Sequence, residues 1–299
     1  MKPQQEKTAE STADAPSGFF LLRWGLTNEL LKLFARPRTY IGFAVFLAFE
    51  VLILSLLRLP RPRREFQRLL EDNGFLFENY FSGLTLAVAM IASAVFFLGA
   101  LYLALVAGDI VAKEAEDGTL RMILNRPVPR WHLLFYKWSA CLVYTFLLMV
   151  FFGISSVLVG VLFQGWGGLF VFMPLQSVFA IFSPGEGLYR ITLGMLMLGA
   201  MLCTVSSIGF LCSCLSIKPA AASILTLSFI YADFVLYNLP YFSDYQHFFL
   251  YHSISQWTLV FESPLSVYAM LRALLPLWAV NFSCFILSVV IFTRKDFKS

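Results

Sequence analysis

Six apolar segments, each about as long as a lipid bilayer is thick, dominate this 299-residue sequence. A helix rises about 1.5 Å per residue, so crossing the ~30 Å hydrocarbon core takes about 20 apolar residues. Backbone polar groups find no water in lipid, and a helix satisfies them internally. We therefore predict an all-α membrane protein with six transmembrane helices, over residues 39–57, 84–108, 139–163, 191–217, 220–239 and 273–292.

The composition agrees with a chain that lies mostly in lipid. Hydrophobic residues make up 59% of the sequence and charged residues 13%, whereas soluble proteins average about 25% charged residues. Such a chain has too few polar side chains for a large soluble domain with a single anchor. The net charge of +4 is also too small to indicate nucleic-acid binding.

The first 38 residues divide into two parts ahead of the first apolar segment. Residues 1–17 are polar and lack the pattern of a cleaved signal peptide, so we predict a disordered tail. In residues 18–38, apolar side chains recur on one helical face, which predicts an amphipathic elbow helix lying in the membrane surface. The Arg36-Pro37-Arg38 sequence ends that helix, and residues 39–299 form the transmembrane domain.

The distribution of basic residues predicts the orientation of the chain. With the N-terminus inside, 15 Lys and Arg residues lie on the inner side and 7 on the outer side. Basic residues are enriched in the cytoplasmic loops of membrane proteins. We therefore expect both termini in the cytoplasm, although much of the outer basic charge clusters in the first outer loop.

The second apolar segment continues beyond the length that a bilayer requires. No proline occurs between Leu84 and Asp117, so one long helix that extends into the cytoplasm is predicted. Asp109 and Lys113 are four residues apart, a spacing that predicts an ion pair between them on the exposed turns.

Two segments on the outer side are unusual for exposed loops. Residues 164–187 are Gly-rich, apolar and almost uncharged, and we expect them to dip into or rest on the outer leaflet. Residues 237–272 contain ten aromatic side chains and are divided by Pro240 and Pro264. Aromatic residues favour the membrane interface, so this pattern predicts two short interfacial or re-entrant helices before the last span.

The loop between the second and third spans carries the most specific pattern. Gly118 ends the long helix and Thr119 can cap a new one. Apolar residues at Leu120 and Ile123 then begin a ridge, which predicts a short coupling helix over residues 119–125. A partner that binds this ridge would move both flanking spans together. The alternative is an ordinary charged loop without a partner.

The same loop contains the sequence Glu-x-Glu-x-Gly-Thr-Leu, from Glu114 to Leu120, followed by Arg126-Pro127-Val128-x-Arg130. This loop resembles the cytoplasmic loop of the type-2 ABC exporter permease family. The resemblance implies that family's elbow helix, six spans, coupling helix and paired re-entrant helices. It also implies contact with an ATPase subunit through Glu114, Glu116, Asp117, Gly118, Thr119, Leu120, Ile123, Arg126 and Arg130.

By this resemblance, the chain is a permease subunit in the bacterial cytoplasmic membrane that exports a substrate. It would pair with a second permease copy, as a homodimer or with a paralogue, and with two ABC ATPase subunits. A Walker A loop needs a Gly-Lys pair, and no Lys in this chain follows a Gly. We therefore expect no cofactor and no catalytic residue in this chain, with ATP and Mg²⁺ bound by the ATPases. An alternative is a complex that uses ATP to pull on a periplasmic or envelope partner without moving a substrate.

Two acidic residues, Glu50 and Asp233, lie inside predicted spans. A carboxylate in lipid is costly, so both are candidates for lining a pathway or a dimer seam, with a hydrogen-bonded structural role as the alternative. His247 and His252 lack the spacing of paired metal ligands, and no metal site is expected. An intramembrane enzyme would need these four side chains to converge, and no spacing of a nucleophile and a base supports it.

Overall fold

The structure is a computed structural model that describes residues 18–57, 59, 64, 67–68, 71, 80–124, 129–173, 176 and 178–294. The predicted polar tail and Arg126 lie outside these residues. The helices and strands in chain order are α1 (Gly18–Phe34), α2 (Pro37–Leu57), α3 (Gly83–Glu116), α4 (Thr119–Leu124), α5 (Arg130–Gln164), β1 (Leu169–Met173), β2 (Val178–Phe182), α6 (Pro184–Cys214), α7 (Pro219–Tyr237), α8 (Leu250–Ser255) and α9 (Val267–Arg294). Short 3-10 helices flank α8 at Pro240–Phe248 and Gln256–Phe261.

Six of these helices, α2, α3, α5, α6, α7 and α9, are long and apolar enough to cross a membrane, as the sequence predicts. Several begin where the sequence supplies a start signal. Pro184 and Pro219 occupy the first turns of α6 and α7, where a missing N–H costs nothing. Before α3, the Ser82 hydroxyl accepts hydrogen bonds from the backbone N–H groups of Leu84 and Thr85.

The segment between α5 and α6 requires a correction to the all-α prediction. Strands β1 and β2 form an antiparallel hairpin, with Leu169 opposite Phe182 and Met173 opposite Val178. Each strand is a short apolar run rich in β-branched and aromatic residues, which suits a strand better than a helix of membrane length. The fold is therefore mainly helical with one hairpin. The Phe170 N–H donates to the Thr85 hydroxyl at 2.9 Å, which fixes the hairpin to the start of α3.

Helix α6 is the centre of the bundle, and most of its side chains are buried against α3, α5, α7 and α9. Small residues on α6 allow this close packing. A side chain at Gly199 would lie about 3 Å from the Phe146 ring on α5. One turn further along, Cys203 is fully buried, and the Ser207 hydroxyl accepts a hydrogen bond from the Trp138 indole at 3.0 Å.

Helices α3 and α5 cross at the point of closest backbone approach in this region. A Cβ atom at Gly83 would lie 2.5 Å from the backbone of Val161, and a Cβ atom at Gly160 would overlap the carbonyl group of Gly83. Both positions therefore exclude any side chain. This crossing holds the start of α3 against the end of α5, next to the hairpin.

The two ends of the bundle differ in structure. We call the end that carries β1 and β2 the hairpin end, and the opposite end, where α1, α4 and the first turns of α5 meet, the basal end. Short helical pieces between α7 and α9 lie at the hairpin end, where the Arg190 guanidinium donates to the backbone carbonyls of Val260 and Glu262, each at 2.6 Å. The location of these pieces relative to a membrane interface stays a prediction.

Candidate functional site

The chain turns sharply at the basal end, between α3 and α4. Gly118 has a φ angle of +72°, a left-handed conformation that is typical of the residue that ends a helix. The hydroxyl of Thr119 donates to the backbone carbonyl of Glu114 at 3.3 Å. The first residue of α4 is thus tied back to the last turn of α3. The prediction that Gly118 separates two helices is confirmed.

Four charged side chains, Glu29, Lys32, Glu114 and Lys137, form an ion-pair cluster beneath this turn, which we call the Lys137 cluster. The Lys137 ammonium lies 2.7 Å from a carboxylate oxygen of Glu29 and 2.7 Å from one of Glu114. Lys32 pairs with the other Glu29 oxygen at 2.7 Å. Lys137 is fully buried, and Glu29 and Glu114 are nearly so. Because these residues belong to α1, α3 and α5, one buried ammonium connects three helices.

The electrostatics of the Lys137 cluster balance. Two lysines face two carboxylates, and the cluster carries no net charge. Burial alone would raise the pKa of Glu29, but the Lys137 ammonium, assisted by Lys32, lowers that pKa below its usual value. Glu29 is therefore ionised at neutral pH. Removing one partner of such a buried ion pair strongly destabilises the folded protein, because the other charge is left uncompensated.

The predicted ATPase-contact residues divide into exposed and buried groups. Glu116, Asp117 and Gly118 are exposed at the turn. Lys113 lies 3.2 Å from both acidic side chains, which forms an exposed charged corner. Met122, which the sequence analysis did not single out, is 68% exposed on α4.

Four other residues of the predicted ATPase contact are buried or half-buried. Glu114 belongs to the Lys137 cluster, and Leu120 is 1% exposed under α4. Thr119 and Arg130 are half-buried, and the Arg130 guanidinium donates to the backbone carbonyl of Thr293 on α9 at 3.3 Å. The side chain of Ile123 and the whole of Arg126 lie outside the described residues.

The expected ion pair between Asp109 and Lys113 is wrong. Asp109 instead lies 3.2 Å from the Arg38 guanidinium at the start of α2. Lys113 turns toward Glu116 and Asp117, three and four residues further along. A lysine with two carboxylates one turn ahead gains more than it would from a single aspartate one turn behind. Asp109 is thereby free to join α3 to α2.

Glu50 and Asp233 both accept hydrogen bonds from other helices of the chain. Glu50 is fully buried, and one of its oxygens accepts hydrogen bonds from Ser155 and Ser156 on α5, at 2.5 and 2.8 Å. Within the described residues, its second oxygen has no hydrogen-bond partner. Asp233 accepts from the backbone N–H of Tyr251 at 2.7 Å and so caps α8. A role in a pathway or dimer seam stays a prediction for both.

Two of the cavities that open on the bundle lie near its two ends. The basal cavity, of about 290 Å³, lies between α1, the start of α2 and the second half of α3. A cavity of about 460 Å³ at the hairpin end lies beside the π-helical segment Val95–Gly99. There the Tyr231 hydroxyl donates to the backbone carbonyl of Phe97 at 3.1 Å. π-helical turns recur at functional sites. Neither of these two cavities could be predicted from the sequence, in which only their aromatic and basic residues are visible.

Metal ligands do not cluster in the described part of the chain. Within residues 18–57, 80–124, 129–173 and 178–294, no group of three or more His, Cys, Asp or Glu side chains could hold a metal ion. The five cysteines, which all lie in the described ranges, are buried and form no disulfide. These cysteines therefore act in packing.

Comparison with known proteins identifies the family. A 71-residue stretch is 35% identical to the uncharacterised protein YhcI of Bacillus subtilis (strain 168), and it covers 24% of this chain and 23% of YhcI. Residues 28–297 match the sequence model of the family described as ABC-2 family transporter protein. This range includes all six membrane-length helices and α4. The chain therefore belongs to the ABC-2 family of transporter proteins, and its six membrane-length helices indicate a multi-pass membrane protein.

Proposed function

We propose that this chain is the transmembrane permease subunit of an ABC exporter whose energy comes from ATP hydrolysed by separate ATPase subunits. Family membership supports a transport role and implies ATPase subunits as partners. The observation that carries the coupling role is the position of α4, a short helix held at the basal end between two membrane-length helices. A protein that binds this end can act on α3 and α5 together.

The Lys137 cluster connects the two helices that flank α4 to each other and to α1. Glu114 lies one turn before the Gly118 bend, and Lys137 lies two turns into α5. The ion pairs between these side chains and Glu29 join the supports of α4 to α1. A push on α4 would therefore displace three helices as one unit. We assign Glu114 and Leu120 to supporting α4 from beneath rather than to touching the ATPase.

Direct contact is assigned to the exposed side of the turn. Glu116 and Asp117 offer negative charge, and Met122 offers an adaptable apolar side chain. Arg126 and Arg130 would frame this surface, as the family resemblance implies. In this assembly, two permease copies sit above two ATPases, which bind the ATP and Mg²⁺.

The proposed orientation puts the basal end in the cytoplasm and the chain in a bacterial inner membrane. The excess of Lys and Arg on that side supports this orientation. The remaining faces suit a bilayer and a second copy. Large apolar side chains are exposed along α2, α7 and α9, for example Leu52, Phe229 and Ile286.

Co-purification with ABC ATPases co-expressed from the neighbouring genes tests the proposal. The variant Glu116→Ala/Asp117→Ala/Met122→Ala removes exposed side chains only, so the fold should be kept. We expect ATPase recovery to fall by about tenfold or more, because a few central side chains carry most of the binding energy of an interface and truncating one of them costs about 2 kcal/mol or more.

A matched control changes exposed side chains at the hairpin end. The variant Tyr241→Ala/Glu262→Ala also removes an exposed acid and a large exposed side chain. It should bind the ATPase as the wild type does. Equal ATPase recovery from the wild type and the basal variant, or equal loss in both variants, would contradict docking at α4.

A further inference from the structure

We propose that the basal cavity binds the phosphate headgroup of an anionic phospholipid. The cavity lies between α1, the first turns of α2 and the second half of α3, and its volume of about 290 Å³ is close to the lower limit of small-molecule sites. It combines cationic side chains at one side with apolar side chains at the other. This inference concerns the permease alone and does not depend on ATPase docking.

Positive charge exceeds negative charge around the cavity. Its lining includes three basic residues, Lys32, Arg36 and Arg38, and three acidic ones, Glu29, Asp109 and Glu114. The fully buried Lys137, behind the wall, pairs with both glutamates. Four bases therefore face three acids, and one positive charge is left over for a ligand.

Arg36 and Arg38 are the side chains placed to use that charge. Arg38 shares its guanidinium with Asp109 at 3.2 Å and remains 75% exposed. Arg36 lines the cavity, and it forms no ion pair with any residue of the described ranges. Two guanidinium groups two residues apart suit a phosphate diester, since planar guanidinium groups bind phosphate oxygens in pairs.

The opposite wall has the character of a lipid-facing surface. Ile41 on α2 and Leu105 on α3 line the cavity, and they are 50% and 42% exposed. Both helices are long enough to cross the bilayer. An acyl chain can therefore lie along these side chains while its phosphate meets the arginines. A soluble phosphate would make no use of this apolar wall.

Exposed aromatic rings indicate that the cavity lies at headgroup depth. Tyr40, in the first turn of α2, is 55% exposed, and Trp24 on α1 is 67% exposed. Tyr and Trp are enriched where the hydrocarbon core meets the headgroups. Basic pockets between membrane helices at that level bind anionic lipid headgroups.

Native mass spectrometry of the full chain tests this assignment. The purified chain would be mixed with equal amounts of phosphatidylglycerol, which is anionic, and phosphatidylethanolamine, which is zwitterionic. We expect the wild type to retain phosphatidylglycerol in preference. The variant Arg36→Gln/Arg38→Gln should lose about tenfold or more of that preference, because each basic residue near the headgroups favours anionic lipid.

Two further variants separate charge and shape from misfolding. Arg294→Gln removes an exposed basic side chain at the same end of the bundle, and it should keep the preference. Leu105→Trp fills the apolar side of the cavity without changing charge, and it should reduce retention of phosphatidylglycerol. Each variant is scored on monodisperse protein.

Several outcomes would overturn the proposal. The first is a wild type that retains both lipids equally. The second is a loss of preference in Arg294→Gln as large as in the double variant. Displacement of the lipid by millimolar glycerol 3-phosphate would instead indicate a site for a soluble phosphate. Excess phosphatidylglycerol on the wild-type monomer alone, with none on the dimer, would mean that a second copy covers the cavity.

Discussion

Lys137 joins three helices, α1, α3 and α5, at the basal end of the bundle. It is fully enclosed, yet both of its carboxylate partners come from other helices, 108 and 23 residues away. Enclosing an ammonium group costs several kcal/mol, and only well-placed partners offset that cost. These buried ion pairs therefore fix the relative positions of α1, α3 and α5. Fixed positions suit the proposed coupling role, in which the three helices move together.

Replacing Lys137 should destabilise the protein far more than replacing an exposed lysine. Lys137→Met leaves the buried Glu114 carboxylate without its close partner and leaves Glu29 paired with Lys32 alone, and we expect a loss of about 3–5 kcal/mol of folding free energy. The matched variant Lys113→Met removes only exposed pairs and should change little. Thermal unfolding in detergent measures both. A triple variant, Lys137→Met/Glu29→Gln/Glu114→Gln, should recover much of the loss, and its failure to do so would count against an electrostatic cause.

Glu29 should make stability depend on pH in the acidic range. Its pKa in the folded protein is lowered, so the unfolded chain binds a proton more readily between the two pKa values. The stabilisation is complete above the ordinary glutamate pKa of about 4.3 and is lost as the pH falls through the lower folded value. Denaturation midpoints between pH 7 and pH 3 test this. Glu29→Gln should show a shallower decline than the wild type, and parallel curves would contradict the assignment.

The sequence predicted those elements that are determined by residues close together in the chain, and it missed those that depend on distant contacts. The six long helices follow from continuous apolar runs, and the bend at Gly118 follows from residues adjacent to it. The hairpin was missed because its short apolar strands resemble membrane-dipping segments in composition. Its stabilising contacts, such as the bond from Ser82 to the Gly168 carbonyl at 2.6 Å, join residues 86 positions apart.

The candidate site was predictable only in part for the same reason. The turn from Glu116 to Thr119 is visible in the sequence, because glycine and a capping residue mark it. The Lys137 cluster is not, since no local pattern pairs Lys137 with Glu29. The one available signal was a lysine near the start of a long apolar segment, where an unpaired charge would be costly.

The Gly118 bend should tolerate only residues that accept a left-handed backbone. A Cβ atom at Gly118 would contact nothing within 4 Å, so substitution tests the backbone angle alone. Gly118→Asn should be close to the wild type, whereas Gly118→Val should cost about 1 kcal/mol or more and misdirect α4. Thermal unfolding and ATPase co-purification measure the two effects. Identical behaviour of both variants would contradict a role for the bend.

The crossing of α3 and α5 should be intolerant of any added side chain. In Gly160→Ala the new methyl group would meet the backbone of Gly83, which has no rotamer to yield. We expect a loss of about 1–3 kcal/mol, the usual range for overpacking. Gly185→Ala is the matched control, since nothing lies within 4 Å of its added Cβ atom. Unfolding midpoints of the two variants should therefore differ, and a harmless Gly160→Ala would mean that the helices separate easily.

At the scale of the whole molecule, the basal and hairpin ends must lie on opposite sides of the membrane. Helix α3 runs from the hairpin end to the Gly118 bend, and α5 packs on it and runs back in the opposite direction. The end of α3 and the start of α5 therefore both lie at the basal end. The basal end carries the buried charge cluster and the charged corner at Lys113. The hairpin end carries aromatic surface, including Tyr241 at 86% exposure. ATPase docking requires the basal end to be cytoplasmic.

Cysteine labelling in intact cells tests that orientation directly. The native cysteines are buried, so a membrane-impermeant maleimide should label the wild type weakly. Tyr241→Cys should react in spheroplasts, because this position is exposed and the proposed orientation puts the hairpin end outside. Met122→Cys should react only after permeabilisation, or in inside-out vesicles, because the proposed orientation puts α4 in the cytoplasm. The reverse pattern would put α4 outside, where no ATPase could reach it, and the coupling role proposed for the Lys137 cluster would fail with it.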